Sequence, residues 1–145
     1  MYFFRNDYSE GALPQVMEAL ARTNACSTVG YGDDPYCHEA ASKIRHRFGC
    51  PNADVHFLVG GTQTNLTFLS AALRPWEAVI AAGTAHIATH ETGAIEACGH
   101  KVCTVPTADG KLRPEQIRQV YADHGAGRDE HMVLPKLVYL SNATE

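Results

Sequence analysis

The chain has 145 residues, a formal net charge of −4, and 45% hydrophobic against 19% charged residues. This length and composition suit a single folded domain with a buried core and exclude a disordered chain. The negative balance, without any run of lysine and arginine, argues against nucleic acid as a partner. No apolar stretch approaches the ~20 residues that cross a bilayer.

The cysteine usage is typical of a protein in a reducing compartment. The five cysteines are odd in number and contain no C-x-x-C pair, so they do not indicate a disulfide framework. The N-terminus reaches Arg5 and Asp7 too early for the apolar core of a signal peptide. We therefore expect a cytoplasmic protein without a membrane segment.

The first third of the chain predicts two helices and a loop. One helix is predicted to begin near Pro14, since proline suits a first helical position. Residues 24–34 have glycines and small polar residues without periodicity, which predicts a loop. A second helix is predicted over residues 35–48, with Asp34 as its cap. We assign residues 1–52 as an N-terminal helical segment with a loop.

From residue 53 onward the pattern alternates between short apolar strands and helices. The predicted strands are 54–61, 78–83, 101–107 and 136–142, and the predicted helices are 62–73, 88–99 (interrupted) and 114–125. Strands that are separated by helices of about 10–15 residues indicate βαβ units and a parallel sheet. The sequence therefore predicts an α/β fold for residues 53–145.

The end of the chain follows directly on the last predicted strand. Ligands of open α/β sheets bind outside the carboxyl ends of the strands. A chain that stops at Ser141–Glu145 would lack elements that complete such a site, and it would leave a sheet edge unprotected. We therefore expect residues 53–145 to be the first part of a larger, incomplete domain.

A glycine-rich turn, Gly60–Gln63, joins the first predicted strand to the following helix. The free backbone N–H groups and the dipole of a helix N-terminus favour an anion such as phosphate. The turn has neither the lysine of a P-loop nor the spacing of a dinucleotide fingerprint. From these residues alone, a phosphate site and a plain tight turn both remain open.

Two histidines follow the second predicted strand and therefore lie at the same end of the sheet as the glycine turn. His86 and His90 are four residues apart, with Glu91 adjacent. Their spacing matches no zinc-enzyme motif and no third ligand is evident, so we predict no metal site. They are either ordinary capping or surface histidines, or an imidazole that packs against an aromatic cofactor.

Several stretches, taken together and in order, resemble the threonine aldolase / β-eliminating lyase family. Each stretch is modest alone, and the Tyr31 loop by itself suggests only a helix cap. The resemblance spans essentially the whole chain. The matching residues are Arg5–Asp7, Tyr31–Asp34, Gly61–Asn65, His86–Ile87 and Glu91–Ala94.

The resemblance implies a mostly parallel three-layer α-β-α large domain of the aspartate aminotransferase type (fold type I). The implied cofactor is pyridoxal 5'-phosphate, and the implied assembly is a cytoplasmic homodimer or homotetramer. Gly61, Thr62 and Gln63 would hold the cofactor phosphate, and His86 would stack on its ring as a catalytic residue. The substrate would be contacted by Asn6, Tyr31 and His90, with the Tyr31 loop reaching a site of its own or of a neighbouring subunit.

The family reaction breaks a bond at the α-carbon of an amino acid. For threonine it is a retro-aldol cleavage to glycine and acetaldehyde, so a low-specificity threonine aldolase is the first interpretation. Another β-eliminating lyase, an aminotransferase or a cysteine desulfurase would use the same phosphate turn with different substrate contacts. A non-catalytic module that binds phosphate or a metabolite is the alternative from a different class.

Three departures from the family pattern qualify this interpretation. The family's covalent cofactor lysine is not matched by any of the four lysines here, which are predicted on an outer helix, in a turn or at strand beginnings. We therefore expect this chain alone to be inactive. Asn6 stands where many members have serine, and Thr144 where the aldolases have a second active-site histidine.

Overall fold

A computed structural model describes residue 6 and residues 8–142 of the chain. Three residues named above lie outside the described residues: Arg5 and Asp7, which match the family pattern, and Thr144, which departs from it. The chain divides into two compact units, Met1–Phe57 and Leu58–Glu145. Each unit has its own secondary structure.

The first unit contains the two predicted helices, which are both confirmed. Helix α1 spans Pro14–Thr23 and helix α2 spans Pro35–Phe48, each with proline in its first turn. Helix α2 ends where Gly49 adopts a left-handed conformation (φ 64°), which glycine adopts at little cost. Local sequence signals at the helix ends therefore fix both elements.

Asp34 caps helix α2 and makes its stability depend on pH. Its Oδ1 accepts hydrogen bonds from the backbone N–H groups of Tyr36 and Cys37 at 2.9 and 3.0 Å. The Cys37 thiol and these N–H groups hold the pKa of Asp34 below its usual 3.8. Because the pKa is lower in the folded chain, the stabilisation is present above the unfolded value and is lost as the pH falls through the folded value.

We expect Asp34→Asn to keep a capping acceptor but to remove this pH dependence, since an amide does not titrate in this range. Urea unfolding of both proteins at pH 6 and pH 3, followed by circular dichroism, measures the difference. The native chain should lose more stability on acidification than the variant. An identical loss of stability in the two proteins would show that ionisation of Asp34 does not contribute to the pH dependence.

The second unit alternates helices and strands. Its elements are α3 (Gly61–Ala72), β1 (Glu77–Ala82), α4 (His86–Thr89), α5 (Ala94–Ala97), β2 (Lys101–Val105), α6 (Pro114–Asp123), a 3₁₀ turn (Gly125–Gly127) and β3 (Leu134–Val138). Among the described residues, no helix combines the length and the apolar character that crossing a membrane requires.

The three strands form a parallel sheet in the order β2-β1-β3. Ile80 in the central strand β1 is in register with Cys103 of β2 and Val138 of β3. Every residue of β1 is buried, as expected for a parallel strand that is covered on both faces.

Helices cover both faces of this sheet, which confirms the predicted three-layer α/β arrangement. The core on one face includes Leu69, Leu73, Val79, Ile87 and Ile95, and thus joins β1 to α3, α4 and α5. The core on the other face includes Ile80, Cys103 and Val105, against which Ile117 and Val120 of α6 pack. From Ala78 to Ala81 the side chains of β1 alternate between the two cores, as the geometry of a strand requires.

The strand predicted over residues 54–61 is wrong, because residues 53–60 have no regular secondary structure and helix α3 begins at Gly61. Phe57, Leu58 and Val59 are 48%, 40% and 93% exposed. An apolar run forms a strand only where a neighbour completes its hydrogen bonds. The strands in the described part of the chain pair only with one another.

Candidate active site

Helix α3 begins with an open glycine turn. Gly60 is the N-cap residue in an extended conformation, and no described side chain caps the helix. The backbone N–H groups of Gly61, Thr62 and Gln63 lie in the first turn, where a helix offers them no internal acceptor. The Gln63 side chain folds back on the preceding segment, where its Oε1 accepts a hydrogen bond from the Val59 N–H at 2.9 Å. Because this side chain is already engaged, the group that Gln63 offers a ligand is its backbone N–H.

Neither Gly60 nor Gly61 is required by the fold. A Cβ added at either position would meet no atom of the described residues within 4 Å, and neither has a positive φ. The two glycines instead keep side chains away from the first-turn N–H groups. These groups and the positive end of the helix dipole fit an anion that approaches the backbone closely, such as a phosphate.

A hydrogen-bonded group of three side chains lies one helical turn further on. Asn65 Nδ2 donates to Glu91 Oε1 at 2.6 Å, and His86 Nδ1 lies 2.7 Å from the same oxygen. The Glu91 side chain is fully buried, whereas the His86 side chain is 42% exposed. The group therefore presents the imidazole to the outside and keeps the carboxylate beneath it.

The chain between α4 and α5 places this carboxylate inward. Ile87 and Ile95 are buried and anchor the two short helices to the core. Between them, Thr92 and Gly93 both have left-handed backbones, with φ of 56° and 73°. This tight reversal splits the single interrupted helix that was predicted, and it leaves Glu91 on the buried side of the turn.

His90 lies next to His86, with ring centroids 5.5 Å apart and planes tilted by 50°. His90 is exposed and occupies the C-cap position of α4. Within the described residues, no group of three or more histidine, cysteine, aspartate or glutamate side chains could hold a metal ion.

None of the lysines belongs to the group around His86. Lys43 pairs with Glu39 on α2, and Lys101 begins β2 at the amino end of the strand. Lys136 lies exposed within β3. Lys111 lines a cleft of about 340 Å³ past the ends of β1 and β3.

Gly61, Thr62, Gln63, His86 and His90 all belong to the second unit, whereas Asn6 and Tyr31 belong to the first unit. Asn6 Oδ1 accepts from the Tyr8 N–H at 3.2 Å and from the Ser9 hydroxyl at 2.6 Å. Tyr31 is fully exposed and has a left-handed backbone (φ 65°), which a bulky residue seldom adopts.

No role was predicted from the sequence for two residues of this group, Asn65 and Glu91, although both fall in stretches that match the family. Asn65 precedes two buried leucines at four-residue spacing, Leu69 on α3 and Leu73 at its C-cap, so a polar side chain stands where the pattern predicts an apolar one. Such a residue needs a buried polar partner. That signal was available, but the partner could be identified only from the tertiary structure.

Comparison with known proteins shows the family of this chain. The family described as beta-eliminating lyase matches residues 4–145. Low specificity L-threonine aldolases of Pseudomonas sp. and Pseudomonas aeruginosa are each 33% identical over 144 residues, which is 98% of this chain and 40% of theirs. A solved threonine aldolase structure from Leishmania major is 55% identical with a TM-score of 0.88, covering 97% of this chain and 40% of that one. The chain thus spans about 40% of the length of these relatives, and it belongs to the beta-eliminating lyase family.

Proposed function

We propose that the chain is the N-terminal portion of a pyridoxal-phosphate-dependent lyase that cleaves a β-hydroxy amino acid to glycine and an aldehyde. The observation that carries this proposal is a chain of hydrogen bonds between helix α3 and His86. Asn65, one turn into α3, hydrogen-bonds the carboxylate that holds His86. This link between helix α3 and a partly exposed imidazole supports a site to which the start of α3 contributes an anion-binding group. The threonine aldolase names of the relatives supply the reaction class.

The phosphate of the cofactor would be held by the start of α3. Gly61, Thr62 and Gln63 offer backbone N–H groups, and Thr62 adds an exposed hydroxyl. A phosphate is favoured there by the helix dipole and by charge-assisted hydrogen bonds. The open space above Gly60 and Gly61 supports this assignment, because any side chain at these positions would occupy it.

The ring of the cofactor would lie against His86. When bound, pyridoxal phosphate withdraws electrons from the bond that breaks at the α-carbon. Cleavage between the α- and β-carbons also requires the β-hydroxyl to lose a proton. His86 and His90 are neighbouring imidazoles, a group that can accept a proton, and His90 is the more exposed of the two.

The covalent step of the reaction would depend on a lysine from outside residues 1–145. Within this chain, Lys43, Lys101 and Lys136 lie on α2, at the start of β2 and within β3. Lys111 lines the cleft past the ends of β1 and β3. It takes no part in the hydrogen bonds among Asn65, Glu91 and His86. We therefore expect activity from a protein of the relatives' length and none from residues 1–145 alone.

Asn6 and Tyr31 complete the proposal as substrate contacts. The exposed aromatic ring of Tyr31 on a strained backbone is typical of residues kept for a ligand or a partner. We also propose that the protein is a cytoplasmic homodimer or homotetramer, in which the Tyr31 loop reaches the active site of its own or of a neighbouring subunit. Sedimentation equilibrium that finds only monomer, or cell fractionation that finds the protein outside the cytoplasm, would contradict it.

The experiment supplies the full-length gene product with pyridoxal phosphate and L-threonine and identifies the products. We expect glycine and acetaldehyde in equal amounts, and no turnover by residues 1–145 tested in parallel. A keto acid as the product would indicate an aminotransferase or another β-eliminating lyase. Binding of the cofactor without turnover of any amino acid would favour a non-catalytic module.

A further inference from the structure

A buried carboxylate beneath His86 has no part in the phosphate and ring contacts described above. Glu91 is 4% exposed as a residue, and its side chain is fully buried. Carboxylates are seldom buried unless hydrogen bonds or an opposite charge compensate for the lost water. Both contacts of Glu91 fall on Oε1, while its Oε2 is buried without a partner among the described residues.

Asn65 fixes the orientation of this carboxylate. The Asn65 Nδ2 group can only donate, and it donates to Glu91 Oε1 at 2.6 Å. This hydrogen bond holds Oε1 in the position where the same oxygen also contacts His86 Nδ1. Asn65 is half-buried and stands four residues after Gly61, on the turn that follows the open helix start. A shift of α3 would therefore be transmitted to Glu91 and to the imidazole above it.

We propose that Glu91, held by Asn65, is a positioning residue that fixes His86 in the Nδ1–H tautomer. In this proposal the Glu91 carboxylate is ionised and carries no hydrogen, so the hydrogen in the 2.7 Å contact belongs to His86 Nδ1. In the neutral ring Nε2 is then the proton acceptor, and it lies on the edge of the ring away from Glu91. The inference rests on the proposed function, because it deepens the role of His86 there.

The same arrangement assists proton movement at Nε2. When Nε2 takes a proton, the ring becomes positively charged beside a fixed, fully buried carboxylate. Attraction between these charges is stronger in a poorly solvated site than in water. Glu91 therefore has the part that the buried aspartate has in a Ser-His-Asp triad, where it holds the tautomer and stabilises the imidazolium.

The tautomer can be measured without cofactor or substrate. Solid-state ¹⁵N spectra of the full-length protein, labelled with [¹⁵N]histidine at pH 8, distinguish protonated from unprotonated ring nitrogens. Subtraction of the His86→Phe spectrum assigns the signals of His86. We expect a protonated Nδ1 and an unprotonated Nε2. A hydrogen on Nε2 in the native protein would overturn the proposal, whatever the variants do.

Two variants of matched length separate hydrogen bonding from charge. Glu91→Gln keeps an acceptor oxygen for Nδ1 and should retain the tautomer, whereas Glu91→Met removes the acceptor and should lose it. An unchanged tautomer in a folded Glu91→Met protein would contradict the proposal. Thermal unfolding checks the fold of each variant, and the spectrum of the native protein decides if Glu91→Met does not fold.

The kinetic test uses the cofactor-loaded protein with L-threonine. We expect Glu91→Gln to lower kcat by about 10²-fold, the size of one acid–base contribution, while KM changes only a few-fold. An unchanged kcat in Glu91→Gln would contradict the claim that the negative charge of Glu91 stabilises the protonated ring of His86. If the native protein binds no pyridoxal phosphate, the proposed function fails, but the spectra still decide whether Glu91 fixes the tautomer. The two failures are therefore distinguishable.

Discussion

Replacing Gly61 by valine should weaken the binding of pyridoxal phosphate by about 10–100-fold. The added side chain would occupy the space through which a phosphate reaches the first-turn N–H groups of α3. One lost hydrogen bond to a charged group costs ~1.5–3 kcal/mol, and about 1.4 kcal/mol corresponds to a tenfold change in affinity. The fold should be retained, because a Cβ at Gly61 meets no atom within 4 Å in the part of the chain that the structure describes.

Titration of the full-length protein with the cofactor, followed by fluorescence, measures this change. Gly61→Ala should have a smaller effect than Gly61→Val, since its side chain fills less of the space. Thr67→Val, an exposed change of equal shape on the same helix, should bind like the native protein. Native affinity in a folded Gly61→Val protein would place the phosphate elsewhere.

Replacing Leu69 by alanine should lower the free energy of unfolding by about 2–5 kcal/mol. Leu69 is 1% exposed and packs in the core that joins α3 to β1, α4 and α5. Its removal leaves a cavity under the helix that carries both the glycine turn and Asn65. Most of the stability of a small domain can be lost by such a change.

Urea unfolding provides the measurement, and Phe68→Ala provides the control. Phe68 adjoins Leu69 on the same helix and is 58% exposed. Removing this larger side chain should cost less than about 1 kcal/mol, because most of its surface already meets water. Equal losses for Leu69 and Phe68 would contradict the core that we describe.

The helices of the first unit could be predicted because their signals are local. Proline at a first helical position and an aspartate cap depend only on neighbouring residues, and both α1 and α2 begin where these signals stand. The apolar run of β1 was also readable, since a central parallel strand is buried along its whole length. These elements needed no knowledge of distant contacts.

The segment 54–61 could not be predicted in the same way. Its apolar residues suggest a strand, but a strand also requires a hydrogen-bonding neighbour, which the sequence does not identify. Glu91 presents the same difficulty within the site. A charged residue next to a histidine is normally exposed, and only the reversal at Thr92 and Gly93 turns it inward.

The residues of the candidate site fall into two classes. The sequence placed the glycine turn near His86 through a strand over residues 54–61 that the structure does not contain, and the Asn65–Glu91–His86 hydrogen bonds are what link helix α3 to His86. The roles of Asn6, Tyr31 and His90 toward a substrate stay predictions. Those roles depend on a ligand and on further chain, so neither local pattern nor the fold of this unit determines them.

An experimental structure of the full-length protein with pyridoxal phosphate tests the central claim most directly. The account predicts the phosphate against the backbone N–H groups of Gly61 and Thr62, and the pyridine ring against the exposed face of His86, whose Nδ1 remains bonded to Glu91. A cofactor bound at another place, with the start of helix α3 unoccupied, would contradict it.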